Sequence, residues 1–237
     1  MRSKHMKAIY LLTIFFVTSL MSAQDVNQLD ANGERHGVWK KNFDNTKVLR
    51  YEGEFNHGKE IGIFKFYKNL DKEAVLTATR TFNESNDLAE VKFYSSKNKM
   101  ISEGKMRGKT YIGKWIYYHN NSNQIMTEEF YNENGKLEGE RKTYYLSGNL
   151  AENAMYKNGV FDGESLWYSE SGQLIRVFNY KSGALHGSSK SYDSKGNIEL
   201  EGVYKNDLKH GIWKYYENGK LVKEKDFTKR SKNPYKK

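Results

Sequence analysis

Apolar side chains recur at every second position in short segments of this chain, and polar, glycine-containing segments separate them. In one segment Trp115 and Tyr117 follow Gly113 by two and four residues, and the same order returns after Gly211. Side chains at a spacing of two share one face of an extended strand, whereas a helix requires spacings of three and four. The pattern therefore predicts β-strands rather than helices.

The first glycine of this pattern, which we call the marker, returns at a nearly constant interval. Ala89 takes the same position in one unit, and the last four markers lie 24 residues apart. The marker glycines are Gly37, Gly62, Gly113, Gly139, Gly163, Gly187 and Gly211. A fixed period of this length indicates a stack of similar small units, here eight of them. Glycine at such positions supplies the positive φ that turns require.

Each unit is predicted to form two strands and two turns. The first strand follows the marker. The second begins near an aliphatic residue and reaches an aromatic residue six positions later, as in Leu150 and Tyr156. Strands of about five or six residues fit these spacings. The predicted fold class is therefore all-β, with consecutive β-hairpins that contact mainly their neighbours.

The order of glycine, paired aromatics, Asn-Gly, aliphatic and aromatic residues resembles a known repeat. It is seen in GIWKYYENGKLVKEKDF, from Gly211 to Phe227, and it resembles the MORN repeat, specifically the bacterial MORN-variant family that includes YwqK-type antitoxins. The resemblance covers residues 33–227, the eight predicted repeats, and implies an elongated, single-layer antiparallel sheet. Such a repeat is a scaffold used by unrelated proteins, so it specifies fold better than function.

The N-terminus has a different pattern from the repeats. Three basic residues precede an apolar run from Ala8 to Met21, and Ser22 and Ala23 follow it. This arrangement predicts a secretory signal peptide over residues 1–23, because a membrane-spanning helix needs roughly 20 apolar residues. An uncleaved anchor is the alternative, since Met21 is large for a cleavage site. Residues 24–32 form a lead-in to the repeats. We expect export to the periplasm, the cell surface or the medium, with no transmembrane helix after cleavage.

Charge is distributed unevenly between the repeats and the C-terminus. The formal net charge of +10 includes three basic residues before residue 24 and five in the tail 228–237, which leaves +2 for the repeats. Proteins that bind nucleic acid usually carry a basic stripe on a folded face. Nucleic acid is therefore disfavoured as a partner.

The sequence offers little basis for catalysis or metal binding. The chain contains no cysteine, so it has neither a thiol nucleophile nor a disulfide. His186 and His210 occupy the same position in consecutive units, which would separate them by roughly 9 to 10 Å, too far to share a zinc ion. The carboxylates are scattered, and we expect them on a solvated face opposite the aromatic one. We predict no catalytic residues, no metal and no cofactor.

The aromatic residues after the markers are the best candidates for binding. They share one predicted face, and a single-layer sheet has no second layer to cover it, so their exposed area could bind a partner. They are Trp39, Phe64, Phe66, Trp115, Tyr117, Trp167, Trp213 and Tyr215. We predict an exported, non-enzymatic module or scaffold that binds another protein. One alternative is an antitoxin or immunity protein that binds a toxin, and another is a module that binds cell-wall glycan.

Overall fold

The computed structural model describes residues 25–83 and 85–228. The predicted signal peptide and all but Thr228 of the basic tail lie outside these residues. The described part contains 18 β-strands and no helix long and apolar enough to cross a membrane. The strands are β1 Gln28–Leu29, β2 Arg35–Asn42, β3 Leu49–Asn56, β4 Lys59–Leu70, β5 Glu73–Phe82, β6 Leu88–Tyr94, β7 Met100–Arg107, β8 Thr110–Tyr118, β9 Ile125–Tyr131, β10 Gly139–Tyr144, β11 Leu150–Lys157, β12 Val160–Tyr168, β13 Leu174–Lys181, β14 Ala184–Leu185, β15 Gly187–Tyr192, β16 Ile198–Lys205, β17 Leu208–Glu217 and β18 Lys220–Asp226.

Strands that are consecutive in the sequence pair antiparallel, so the sheet follows the chain from one end to the other. The short β1 pairs with β2 at the N-terminal end. The strands β14 and β15 are two parts of one strand, interrupted at His186, and both pair with β13. Eight hairpins therefore make up one open sheet. This confirms the predicted fold class, an all-β array of consecutive hairpins.

All seven marker glycines have a positive φ, between 62° and 120°. Gly113 shows what this conformation does to the sheet. Lys105 of β7 faces Ile112, and Glu103 faces Ile116, so a step of two residues on β7 opposes a step of four on β8. The extra residues form a bulge around Gly113, where the backbone can bend because glycine has no Cβ. Equivalent bulges surround the markers of β4, β12 and β17.

This bend lets a single-layer sheet bury a core. The rings of Tyr111 and Trp115 stack with their centroids 4.0 Å apart, although residues four apart on a straight strand are separated by about 13 Å. The residue two before the marker thus covers the residue two after it. Lys209 covers Trp213 in the same way, with its Nζ 4.0 Å from the ring centroid.

The side chains two and four residues after each marker lie on one face, which we call the inner face. The opposite, outer face carries most of the ion pairs. There, Glu52 accepts hydrogen bonds from Tyr67 Oη at 2.8 Å and Lys65 Nζ at 3.3 Å, and Glu201 accepts one from Tyr216 Oη at 2.7 Å. Ion pairs of this kind recur in several hairpins, and exposed apolar side chains such as Ile63 and Phe130 lie beside them.

Candidate functional site

Three of the predicted binding residues form the core instead of a contact surface. Phe64, two residues after its marker, is 1% exposed, and Trp115 and Trp213 are 0% exposed. Each ring lies against a glycine of the preceding strand. The structure therefore assigns these three aromatic residues to packing, because the bend at the marker covers them.

The position that faces each ring has room only for glycine. A Cβ built on Gly104 would lie 2.4 Å from Trp115 Cδ2, and one built on Gly202 would lie 2.2 Å from Trp213 Cδ2. Gly53 has the same relation to Phe64. Sequence reasoning missed these glycines, although a detectable signal was present, since each lies eleven residues before its ring.

The middle units carry polar residues at the position two after the marker. Ser165 takes the place of a ring, and it faces Ala154, where other hairpins have glycine. Arg141 takes the same place one unit earlier and lies between two buried carboxylates. Its Nε is 3.3 Å from Glu129 Oε2, and its Nη1 is 3.4 Å from Glu152 Oε2. The inner face thus changes from aromatic to polar in the middle of the sheet.

The positions of Glu129 and Glu152 correct the expectation that the carboxylates lie opposite the aromatic face. Both are buried on the inner face, where Arg141 supplies the opposite charge. Burial raises the pKa of Glu152, and the charge of Arg141 partly offsets this. Tyr131 donates a hydrogen bond of 2.6 Å to Glu129 Oε1. Burial and this bond raise the pKa of Tyr131 to about 12.

Replacing Arg141 by methionine should lower the free energy of unfolding by about 2 kcal/mol at pH 7. The substitution leaves two buried carboxylates without their cation, a change that usually costs about 3 to 5 kcal/mol. We expect a smaller loss here because Arg141 is partly exposed to solvent. The folded pKa of Glu152 is already raised, so burying its charge destabilises the fold above that pKa. The loss should therefore shrink as the pH falls through the pKa of Glu152 towards pH 4.

Urea unfolding of this variant at pH 7 and pH 4 measures the difference, with Lys142→Met as the matched control. Lys142 is the next residue on the same strand and points to the outer face, where its Nζ lies 2.7 Å from Glu140 Oε2. A surface pair of this kind contributes about 0 to 1 kcal/mol. Equal losses for the Arg141 variant at both pH values would contradict the assigned role.

The positions four residues after the marker form a cross-strand row that stays open in the last units. We call it the open row, and its consecutive cross-strand partners are Trp167, Arg176, Ser191, Leu200 and Tyr215. Trp167 is 41% exposed, and its Nε1 donates a 3.0 Å hydrogen bond to Ser165 Oγ. The ring is therefore both exposed and held by a polar contact.

A shallow concavity on the same strands lies on the outer face, not beside the open row. Glu199, Tyr216 and Val222 line it, and the hydroxyl of Tyr216 binds Glu201 on that face. Trp167 and Tyr215 are separated by four strand spacings, about 19 Å. On the inner face, the predicted binding residues Trp167 and Tyr215 lie in one row, in which Trp167 is exposed and Tyr215 is half-buried.

The other predicted residues lie nearer the N-terminus and are half-buried. Trp39 is covered by Arg35, whose Cζ is 5.3 Å from the ring centroid. Phe66 is covered by Arg80, whose Cζ is 5.7 Å from the ring centroid. The hydroxyl of Tyr117 lies 3.4 Å from that of Tyr131. The inner face therefore presents less open aromatic surface here than at Trp167.

The comparison with known proteins agrees with the geometry of the last four units. Residues 137–158, 161–182, 185–206 and 209–229 match the family model described as MORN repeat variant. Each matched segment begins two residues before a marker glycine, at the residue that folds over the inner face. No curated protein matches the sequence significantly. The matches support the resemblance to MORN repeat variants over these four hairpins, the units that carry most of the open row.

Proposed function

We propose that this chain is a non-enzymatic, repeat-built module that binds another protein through the open row. The observation that carries the proposal is Trp167, a tryptophan that is 41% exposed and hydrogen-bonded in place. Tryptophan and arginine are enriched among the residues that dominate binding energy at protein interfaces. Arg176 is the direct cross-strand partner of Trp167. Repeat arrays of this kind generally provide extended binding surfaces.

The proposal of a non-enzymatic role rests on the shape and chemistry of the inner face. Enzyme sites are usually enclosed, and enclosure is what shifts the pKa of catalytic groups. The open row lies on an open sheet. The buried carboxylates of Glu129 and Glu152 are bound by Arg141 and Tyr131, so they serve as partners of neighbouring side chains.

Replacing Trp167 by alanine should weaken capture of the partner about thirtyfold, equivalent to about 2 kcal/mol for a residue of this type. The control is Phe130→Ala, because Phe130 is 49% exposed and pairs with Lys114 on the outer face. Proteins captured from an envelope extract by the wild type should be lost with the Trp167 variant and kept with the Phe130 variant. Equal capture by both variants, each folded by circular dichroism, would refute the proposal.

We also propose export, which rests on the apolar run from Ala8 to Met21 and the small residues Ser22 and Ala23. Cleavage after Ala23 would leave Gln24 as the first residue. Intact-mass measurement of the protein recovered from the periplasm or medium tests this. A protein that retains residues 1–23 would favour the anchored alternative.

Two alternative partners remain distinguishable by simple observations. An antitoxin or immunity role follows from the resemblance to YwqK-type antitoxins, and an adjacent toxin gene would favour it. Binding of cell-wall glycan would use the exposed ring of Trp167 as a platform. Co-sedimentation with isolated cell wall, lost in the Trp167→Ala variant, would favour that role.

A further inference from the structure

The last described strand, β18, lies at one edge of the sheet. It spans Lys220–Asp226, all its residues are exposed, and among the described residues it pairs only with β17. Its outward N–H and C=O groups can accept another strand. We propose that this edge binds an extended strand of a different protein, one that places carboxylates opposite Lys223 and Lys225. The inference rests on the proposed interaction function, but it uses the sheet edge instead of the exposed ring of Trp167.

The repeats themselves indicate which residues can follow β18. Lys225 pairs with Trp213, two residues after the marker, just as Gly104 pairs with Val91 and Gly202 with Ser189. At Gly104 and Gly202 the next strand brings a ring into the space of a Cβ, 2.2 to 2.4 Å away. Lys225 leaves no such space, because its own side chain occupies the position that is empty at a glycine. A further aromatic unit therefore cannot continue the sheet here.

The lack of space for a ring at Lys225 argues against a second copy of the chain as the partner of β18. In the register of the repeats, the first strand of another copy would bring Trp39 opposite Lys225 and Lys41 opposite Lys223. The first contact clashes, and the second opposes two positive charges, which destabilises a strand pair. The indole N–H of Trp39 also already has a partner in its own chain, because Nε1 donates a 3.0 Å hydrogen bond to the carbonyl oxygen of Gln28.

The charges at this edge identify the chemistry of the partner. Lys223 Nζ is 5.9 Å from the Tyr215 ring centroid, and Lys225 Nζ is 4.8 Å from that of Phe227. Lys209 Nζ lies 5.3 Å from the Phe227 centroid and 5.7 Å from the Tyr215 centroid. Three ammonium groups therefore surround two rings on the inner face. None of the salt bridges found in the described part of the chain involves these three lysines.

On the outer side of β18, the partner strand should carry a positive charge. Glu224 pairs with Lys214 and corresponds to Glu201, which pairs with Lys190 on one side and with Lys214 on the other. By the same relation, the strand next to Glu224 should present lysine or arginine. The partner strand is thus acidic, basic and acidic at three consecutive positions. The residues after Thr228 are basic and contain no acid, so the chain's own tail does not fit this pattern.

Two synthetic peptides and charge-reversal variants test the proposal on the full-length protein. One peptide has Thr-Val-Glu-Lys-Glu-Val-Thr at its centre, and the other has Thr-Val-Lys-Glu-Lys-Val-Thr, so only the charge pattern differs. By fluorescence anisotropy, the first should bind the wild type at least tenfold more tightly than the second. The Lys223→Glu, Lys225→Glu double variant should reverse this preference. A matched double variant at exposed turn residues, Lys97→Glu and Lys99→Glu, should keep it.

The other outcomes overturn the proposal or separate it from the proposed function. A wild type that binds both peptides equally, or a double variant that keeps the wild-type preference, would refute it. Concentration-dependent self-association in sedimentation would instead identify a second copy as the occupant. Peptide binding that appears only after truncation at Thr228 would identify the tail. The Trp167→Ala variant should bind the first peptide as the wild type does, because its ring is more than four strand spacings from the edge, so failure of either proposal is recognisable.

Discussion

Replacing Gly104 by alanine is expected to lower the free energy of unfolding by about 3 kcal/mol, the upper part of the range for an overpacked core. The added Cβ would lie 2.4 Å from Trp115 Cδ2, and the fully buried ring has no room to move away. Gly104 does not have a positive φ, so the cost is steric. Without this clash, the substitution would stabilise the protein by about 0.4 to 1 kcal/mol. Urea unfolding measures the change.

The control for this prediction is the same substitution in a Trp115→Ser background. Gly104→Ala and Trp115→Ser together would copy Ala154 and Ser165, which face each other in a natural hairpin of this chain. The alanine should then cost less than about 0.5 kcal/mol, because residues in contact do not act additively. An equal cost in both backgrounds would show that the ring is not the cause.

The second large effect is expected for Trp115→Ala, which should lower the free energy of unfolding by about 4 kcal/mol, as for other fully buried tryptophans. The substitution removes the stack with Tyr111, 4.0 Å between centroids. It also removes the 3.0 Å hydrogen bond from Trp115 Nε1 to the carbonyl oxygen of Lys105. The cavity would open in the buried cluster that Trp115 forms with Ala89, Val91 and Met106.

Trp167→Ala provides the comparison, since the same side chain is lost from the same face. Its ring is 41% exposed, so we expect a loss of about 1 kcal/mol or less. Thermal melting of both variants, followed by circular dichroism, separates packing from binding. Similar melting temperatures for the two would contradict the division of the inner face into a buried and an open row.

The repeat pattern was sufficient to predict the strands and their order. Period-two spacing and a glycine at a constant interval are local properties, and antiparallel hairpins between neighbours need no long-range information. The positive φ of Gly113 is local in the same sense, because a side chain would disfavour that conformation in any context. The two strands and the turn of each unit follow from such residues alone.

The candidate site could be predicted only in part. The shared face of Trp115, Trp167 and Trp213 follows from their spacing, but their exposure does not. The sequence places all three on one face, whereas the structure buries Trp115 and Trp213 and exposes Trp167. The difference comes from the row and from the facing residues. Trp115 and Trp213 lie two residues after the marker, where Gly104 and Gly202 make room for a ring. Trp167 lies four residues after its marker and faces Glu152 and Arg176.

The sequence by itself determined the number of units, the strand that follows each marker and the face that carries the aromatic residues. The tertiary structure decided which of those residues are available to a partner. The bend at Gly113 lays Tyr111 over Trp115, and the ion pairs of Arg141 hold Glu129 and Glu152 on the same inner face. Both outcomes depend on contacts between side chains that the bend and the strand register bring together. The periodicity of a single unit does not encode these contacts.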